Sequence, residues 1–130
     1  MKRGLLLFAH GARDPRWAEP FEAVAARARL HQPTWVVRLA FLELMAPTLS
    51  DTGHALAAAG CERVDVVPLF LGSGGHVRGD LPLLLDTLRA AHPHVHWQLQ
   101  PAIGEQPGVI DAMAHAAAFN LSDDLLPPSS

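Results

Sequence analysis

VDVVPLFLGSGGHVRGDLP, residues 64–82, is the stretch on which the fold turns. It opens with the β-branched Val64, Val66 and Val67 and stays apolar through Leu71, which reads as a buried strand. Four glycines then fall within eight residues, Gly72, Gly74, Gly75 and Gly79. Without a Cβ they leave room for a ligand to approach the backbone. Asp80 is a good N-cap and Pro82 suits a first turn, so the spacing predicts a helix restarting there. His76 lies in the intervening loop, with Arg78 close by. A buried strand followed by a glycine loop that carries an imidazole predicts a site.

Outward from this stretch the chain alternates strand and helix. Residues 4–9, 35–42 and 95–100 read as further strands. Residues 17–31, 47–59, 81–91 and 107–119 read as helices, 10–16 as a polar loop, and Gly60 as the residue closing the second helix. Strands starting near residues 4, 35, 64 and 95 make a βα unit about every thirty residues. Strands apolar throughout and joined by helices indicate a parallel sheet covered on both faces. The expected fold is therefore α/β, a three-layer α/β/α sandwich on a four-stranded parallel sheet of order 2-1-3-4. One domain is expected over residues 1–119, with residues 120–130 as a flexible C-terminal tail. In this order the chain changes direction between the first and third strands, and ligands bind there, outside the carboxyl ends of the strands.

Composition narrows the function. With 130 residues and 49% hydrophobic content the chain can bury a core, and a formal charge of −3 gives no footprint for nucleic acid. Its cations are nine Arg and one Lys, a bias that suits bidentate recognition of carboxylate or phosphate and equally reflects a GC-rich genome. A single cysteine, Cys61, excludes a disulfide framework and an iron–sulfur cluster of the chain's own. Lys2-Arg3 before Leu5-Leu6-Leu7-Phe8 imitates a signal peptide, but the apolar core is too short and His10, Arg13 and Asp14 follow at once. No stretch approaches the ~18 apolar residues of a membrane span. A soluble, cytoplasmic protein is expected.

Three loops at one end of the expected sheet each carry a candidate metal ligand. His10 follows the first strand, Glu43 the second and His76 the third. Two imidazoles and a carboxylate suit a borderline divalent ion such as cobalt, iron, nickel or zinc, and three protein ligands leave positions open for a substrate. Spacing alone leaves surface histidines and an incidental acid as the alternative, since only the fold brings these residues together.

The motifs themselves are more specific. His10-Gly11-Ala12-Arg13-Asp14-Pro15, Phe41-Leu42-Glu43, and Pro68-Leu69-Phe70-Leu71 with Gly75-His76-Val77 and Asp80-Leu81-Pro82 resemble the short-form sirohydrochlorin chelatases. These are the cobalto- and ferrochelatases of cobalamin and sirohaem synthesis, in the class II chelatase superfamily. The resemblance implies insertion of Co²⁺ or Fe²⁺, with Ni²⁺ also compatible, into a tetrapyrrole bearing eight carboxylates. It implies no organic cofactor, the metal being a substrate. His10, Glu43 and His76 become the metal-binding and catalytic set, and a homodimer is implied, each chain resembling one half of the larger two-lobed chelatases. Ala12 departs from the pattern, where Ser is common, and removes one hydroxyl from the substrate's reach. Arg13 and Arg78, with Gly74 and Gly75, form the expected substrate-binding set. Arg16 reads instead as a solvated loop charge.

Other features are set aside. His92, His94 and His96 form HPHVH before the fourth strand, away from the crevice, and a metal is not expected there. His31 and His92 suit helix ends, while His54 and His115 lie on helices with no partner in view. The glycine loop lacks the Lys-Ser/Thr ending of a phosphate-binding P-loop. Of the tryptophans only Trp17 is placed to stack on a macrocycle; Trp97 and exposed apolar positions of the last helix are candidates for a dimer contact. Two other functions compete. A strand ending in His-Gly resembles a histidine phosphatase, but Ala9 stands where such an enzyme needs Arg. A non-catalytic metal carrier or regulator would use the same three ligands.

Overall fold

The computed structural model describes residues 1–72 and 74–119, and for residues 75–78 the backbone alone. The proposed tail, 120–130, lies outside the described residues. The elements in chain order are β1 (Arg3–Ala9), α1 (Glu19–His31), β2 (Val36–Phe41), α2 (Leu49–Ala58), β3 (Arg63–Pro68), α3 (Gly75–Ala91), β4 (His96–Leu99) and α4 (Pro107–Phe119). Short 3-10 turns at Pro15–Ala18 and Ile103–Glu105 precede α1 and α4.

The four strands are parallel and lie in the order β2-β1-β3-β4, as the strand spacing predicts. Side chains alternate across β1 and β3 because successive residues of a strand point to opposite faces. Leu6, Phe8, Val64 and Val66 face α2 and α3 and join Leu56, Leu81, Leu85, Leu88 and Trp97 in the main core. Leu5, Leu7 and Val67 face α1 and pack around Ala25 and Val37. Gly60 takes φ +89° after α2, the left-handed closing residue its position predicts.

Three expectations need correction. First, α3 begins at Gly75, not near Asp80, with Gly74 as N-cap at φ −72° and ψ 159°. His76 therefore sits in a helix's first turn and not on an open loop. Only Gly75 and Gly79 fall inside the helix, Gly72 and Gly74 preceding it, and a cost of about 1 kcal/mol for each is carried by the rest of a seventeen-residue helix. Pro82, inside α3, removes one backbone bond and leaves the rest of the helix to hold it. Second, Trp97 is buried in the core at 3% exposure and is no contact surface. Third, Trp17 is half-buried against Phe21 and Phe41, with ring centroids 4.6 and 6.4 Å away, so its ring serves packing.

The fourth helix differs from the others. The sequence of α4, PGVIDAMAHAAAF, is largely apolar, yet none of its residues is buried. Ile110, Met113 and Phe119 stand 49%, 39% and 74% exposed. The turn before it is well anchored: Gly104 donates its N–H to Phe70 O at 2.9 Å. No helix among the described residues is long and apolar enough to cross a membrane.

Candidate metal centre

β1 and β2 do not stop pairing where their strands end. Leu42 N–H donates to Ala9 O at 2.9 Å and Glu43 N–H to His10 O at 3.0 Å, which carries the two chains side by side past the carboxyl edge of the sheet. Sequence spacing separates His10 and Glu43 by thirty-three positions; the parallel register brings them to neighbouring places. Both are exposed. Among the described residues neither side chain has a hydrogen-bond partner, so their nitrogens and oxygens are free for a ligand.

The backbone beneath them is specialised. Gly11 has φ +94°, and a Cβ there would run into the Glu43 carbonyl. Only glycine allows the His10 loop to lie this close to the Glu43 loop. Leu44, the residue after Glu43, has φ +65°, a left-handed conformation that costs a non-glycine residue about 1–2 kcal/mol. Thr48 then caps α2 by accepting from Asp51 N–H at 3.1 Å, and Phe41 N–H donates to Pro47 O at 2.9 Å, closing the loop on itself. The strain is thus held by bonds on both sides of Glu43.

The third wall comes from β3. Its strand runs through Pro68, and Phe70, 3% exposed, lies under His10 with ring centroids 4.1 Å apart and planes 27° from parallel. That stacking fixes the imidazole's plane while its edge stays in solvent. Sequence reasoning quoted Phe70 in a motif without seeing this role; the signal was an aromatic two residues past a buried strand. Gly74 follows, exposed, with nothing within 4 Å of where a Cβ would project. Gly75, His76 and Arg78 occupy the first turn of α3, the helix that follows β3; their side chains lie outside the described residues. Among the described residues no group of three His, Cys, Asp or Glu side chains is close enough to hold a metal. Within the described set, then, His10 and Glu43 are brought together, and His76 lies in the first turn of the helix that follows β3.

The charged residues of the first loop divide in two. Arg16 is tied to Asp14, whose carboxylate accepts from its Nη2 at 2.8 Å and from its backbone N–H at 2.9 Å. The Arg16 guanidinium, then its backbone N–H, hold the Asp14 carboxyl below the usual carboxylate range. Arg13 is exposed and makes no such bond among the described residues, which leaves its five donors for an incoming carboxylate.

Chemically, this edge offers an oriented imidazole, a carboxylate and a guanidinium, all exposed and the last two without a hydrogen-bond partner among the described residues. The first two suit loose coordination of a borderline divalent ion, and the third suits an anionic partner. Similarity to known proteins points the same way. A sirohydrochlorin cobaltochelatase of Saccharolobus solfataricus is 37% identical over 82 residues, 63% of this chain and 62% of that protein. A sirohydrochlorin ferrochelatase of Bacillus subtilis is 28% identical over 115 residues, 88% of this chain and 44% of that protein. The matched segments thus span less than two thirds of either relative. Among solved structures, one described as a CbiX protein of cobalamin biosynthesis, from Marinobacter aquaeolei, superposes with a TM-score of 0.78 at 33% identity, covering 88% of this chain and 93% of that one. SirB from Bacillus subtilis with Fe³⁺ gives 0.78 at 27% identity, over 98% of this chain and 49% of that one. The CbiX family model matches residues 4–118, from the start of β1 almost to the end of α4, and the chain belongs to the CbiX family.

Proposed function

We propose that this chain inserts a divalent metal ion, Co²⁺ or Fe²⁺, into the tetrapyrrole sirohydrochlorin, as one chelatase-like domain over residues 1–119 working in the cytoplasm. The observation that carries the reading is the Glu43 N–H to His10 O bond. It holds an imidazole and a carboxylate, each with no hydrogen-bond partner among the described residues, at the carboxyl edge where β3 delivers His76. The names of the cobalto- and ferrochelatase relatives support the substrate and the metals. Ni²⁺ also suits the same donors.

Metallation exchanges two pyrrole protons for one divalent ion. In this reading His10 and His76 hold the ion loosely, because a neutral imidazole binds a borderline cation without burying it in charge. Glu43 offsets the ion's charge. As ring nitrogens replace the protein ligands, an imidazole released from the metal takes one pyrrole proton and the Glu43 carboxylate or water takes the other. Arg13 and Arg78 clamp peripheral carboxylates of the macrocycle, and Gly74 and Gly75 let its edge approach the start of α3. Protons compete with the metal for the same nitrogens, so the enzyme-dependent rate falls in acid.

A homodimer belongs to this proposal. The chain covers about half of the SirB structure, and α4 presents Ile110, Met113 and Phe119 exposed, with no described residue burying them. A second copy fits both facts.

The test is turnover. Sirohydrochlorin in excess over protein, with Co²⁺ or Fe²⁺, is followed by absorbance against the spontaneous reaction. The chelatase reading expects many equivalents of metallated product per chain at a rate above background. A carrier would bind the ion and leave the background rate unchanged, which would refute the reading.

A further inference from the structure

Away from the crevice, the fold brings together two histidines that lie thirty-eight positions apart in sequence. His54 on α2 and His92 at the end of α3 face each other with Nδ1 of the first 2.7 Å from Nε2 of the second. Their rings are 4.9 Å apart, centroid to centroid, at 67°. The expectation that His54 has no partner is thereby corrected, and His92 pairs across a helix seam and not along HPHVH.

The seam is built to hold them. Gly53 packs directly on Leu88: a Cβ at Gly53 would come within 2.6 Å of Leu88 Cδ1. His54 is the next residue on α2, and His92 lies one turn beyond Leu88, donating its N–H to Leu88 O at 2.9 Å. On the other side Trp97 Nε1 donates to the His92 carbonyl at 3.4 Å. The backbone of both histidines is therefore fixed by buried packing, while His54 itself is exposed and His92 half-buried. In a hydrogen bond of this kind one imidazole donates and the other accepts, so a single proton is shared between two good nitrogen donors. A transition ion can displace that proton once the exposed His54 ring turns, so that both nitrogens aim at one point beside the line that joins them.

We infer that His54 and His92 form a second metal site, two imidazoles with water completing the shell, for a divalent ion that favours tetragonal nitrogen and oxygen coordination, of the Cu²⁺ and Ni²⁺ class. The distance selects the geometry. With metal–nitrogen bonds of about 2.05 Å, nitrogens in adjacent square-planar or octahedral positions lie about 2.9 Å apart, whereas tetrahedral ones lie about 3.3 Å apart. The pair at 2.7 Å needs the smaller opening for the first arrangement, and that is the arrangement Cu²⁺ and Ni²⁺ prefer. Among the described residues no third His, Cys, Asp or Glu side chain completes a three-ligand set with this pair. The site is at the amino end of the sheet, where α3 leads into β4, opposite the His10 crevice. It is independent of the proposed chelation.

The full chain carrying His10→Ala, which removes the crevice's imidazole, is titrated with Ni²⁺ alone by equilibrium dialysis, and with Cu²⁺ under electron paramagnetic resonance. One Ni²⁺ per chain is expected, together with Cu²⁺ hyperfine structure from two nitrogens. Adding either His54→Ala or His92→Gln should abolish both signals, while adding His31→Ala should leave them. Two variants on different helices, each checked by thermal unfolding, separate lost ligation from lost folding. Binding that survives both substitutions, or no binding in the His10→Ala chain, overturns the inference.

Discussion

The two ends of the parallel sheet treat polar side chains in opposite ways. Toward the amino end, Asp65 is 5% exposed and fully engaged: Arg3 Nη2 donates to it at 3.0 Å, Arg63 Nη2 at 3.0 Å and Gln100 Nε2 at 2.9 Å. Arg3 also lies over the Trp35 ring, 4.3 Å from its centroid. At the carboxyl end His10 and Glu43 are exposed and, among the described residues, unpaired, above a backbone held at Gly11 and Leu44 in left-handed conformations. Buried polar groups that satisfy one another serve the fold. Strain beneath unpaired donors and acceptors marks a site. The difference teaches that stability and activity should separate by end, and each substitution below is a way to break that separation.

The largest combined effect is expected from Gly11→Ala, because there the site and the backbone are the same thing. A methyl group at φ +94° would collide with the Glu43 carbonyl. We expect a loss of at least about 2 kcal/mol of stability, with metal insertion falling to background, both read from one preparation by chemical denaturation and absorbance. Wild-type stability in this variant would show that the two loops do not need to touch.

Asp65→Asn should act on the fold alone. Burial by itself would raise the Asp65 carboxyl, but the hydrogen bonds from Arg63, Gln100 and Arg3 outweigh it and hold the group below its usual range. A depressed carboxyl contributes stability that is complete above its unfolded value, near ~3.9, and is lost as pH falls through the folded value. The variant should therefore be less stable by about 1–3 kcal/mol at neutral pH, the two arginines being partly screened by solvent. The gap should narrow only below about pH 4. Insertion rates should stay close to wild type. A large rate loss with intact stability would mean that the amino end participates in the reaction.

Cys61→Ser should be the mildest. Cys61 is 1% exposed, and burial pushes its thiol up and away from reactivity, with Lys2 and Arg38 opposing. Its sulfur packs near Gly4, so a hydroxyl there exchanges an apolar contact for a polar one and should cost about 1 kcal/mol. Turnover should be unchanged. A variant inactive but stable would place a functional group at the wrong end of the molecule.

The strand order was legible because it rests on two strong signals, apolar β-branched runs and a regular thirty-residue spacing, and parallel topology leaves few alternatives. That His10 and Glu43 lie side by side was legible for the same reason: each directly follows a strand. The start of α3 was not, since four glycines in eight residues and a proline look like a loop when local propensity is the only guide. Phe70 under His10 and His54 against His92 were hidden because both are contacts between elements distant in sequence. The exposed apolar positions of α4 were legible as candidates for a dimer contact, and among the described residues Ile110, Met113 and Phe119 do stand exposed.

The most direct measurement compares wild type and His10→Ala for the rate of Co²⁺ insertion into sirohydrochlorin near neutral pH, with the spontaneous rate subtracted and the thermal midpoint recorded beside it. The His10 side chain is exposed, makes no hydrogen bond among the described residues and touches Phe70 by stacking alone, while its backbone bond to Glu43 survives the substitution, so the fold should scarcely notice its loss. The account predicts an enzyme-dependent rate lower by about 100-fold or more, with a midpoint within a few degrees of wild type. A rate within about threefold of wild type would contradict it, because no general acid–base or ligand role leaves so small a trace.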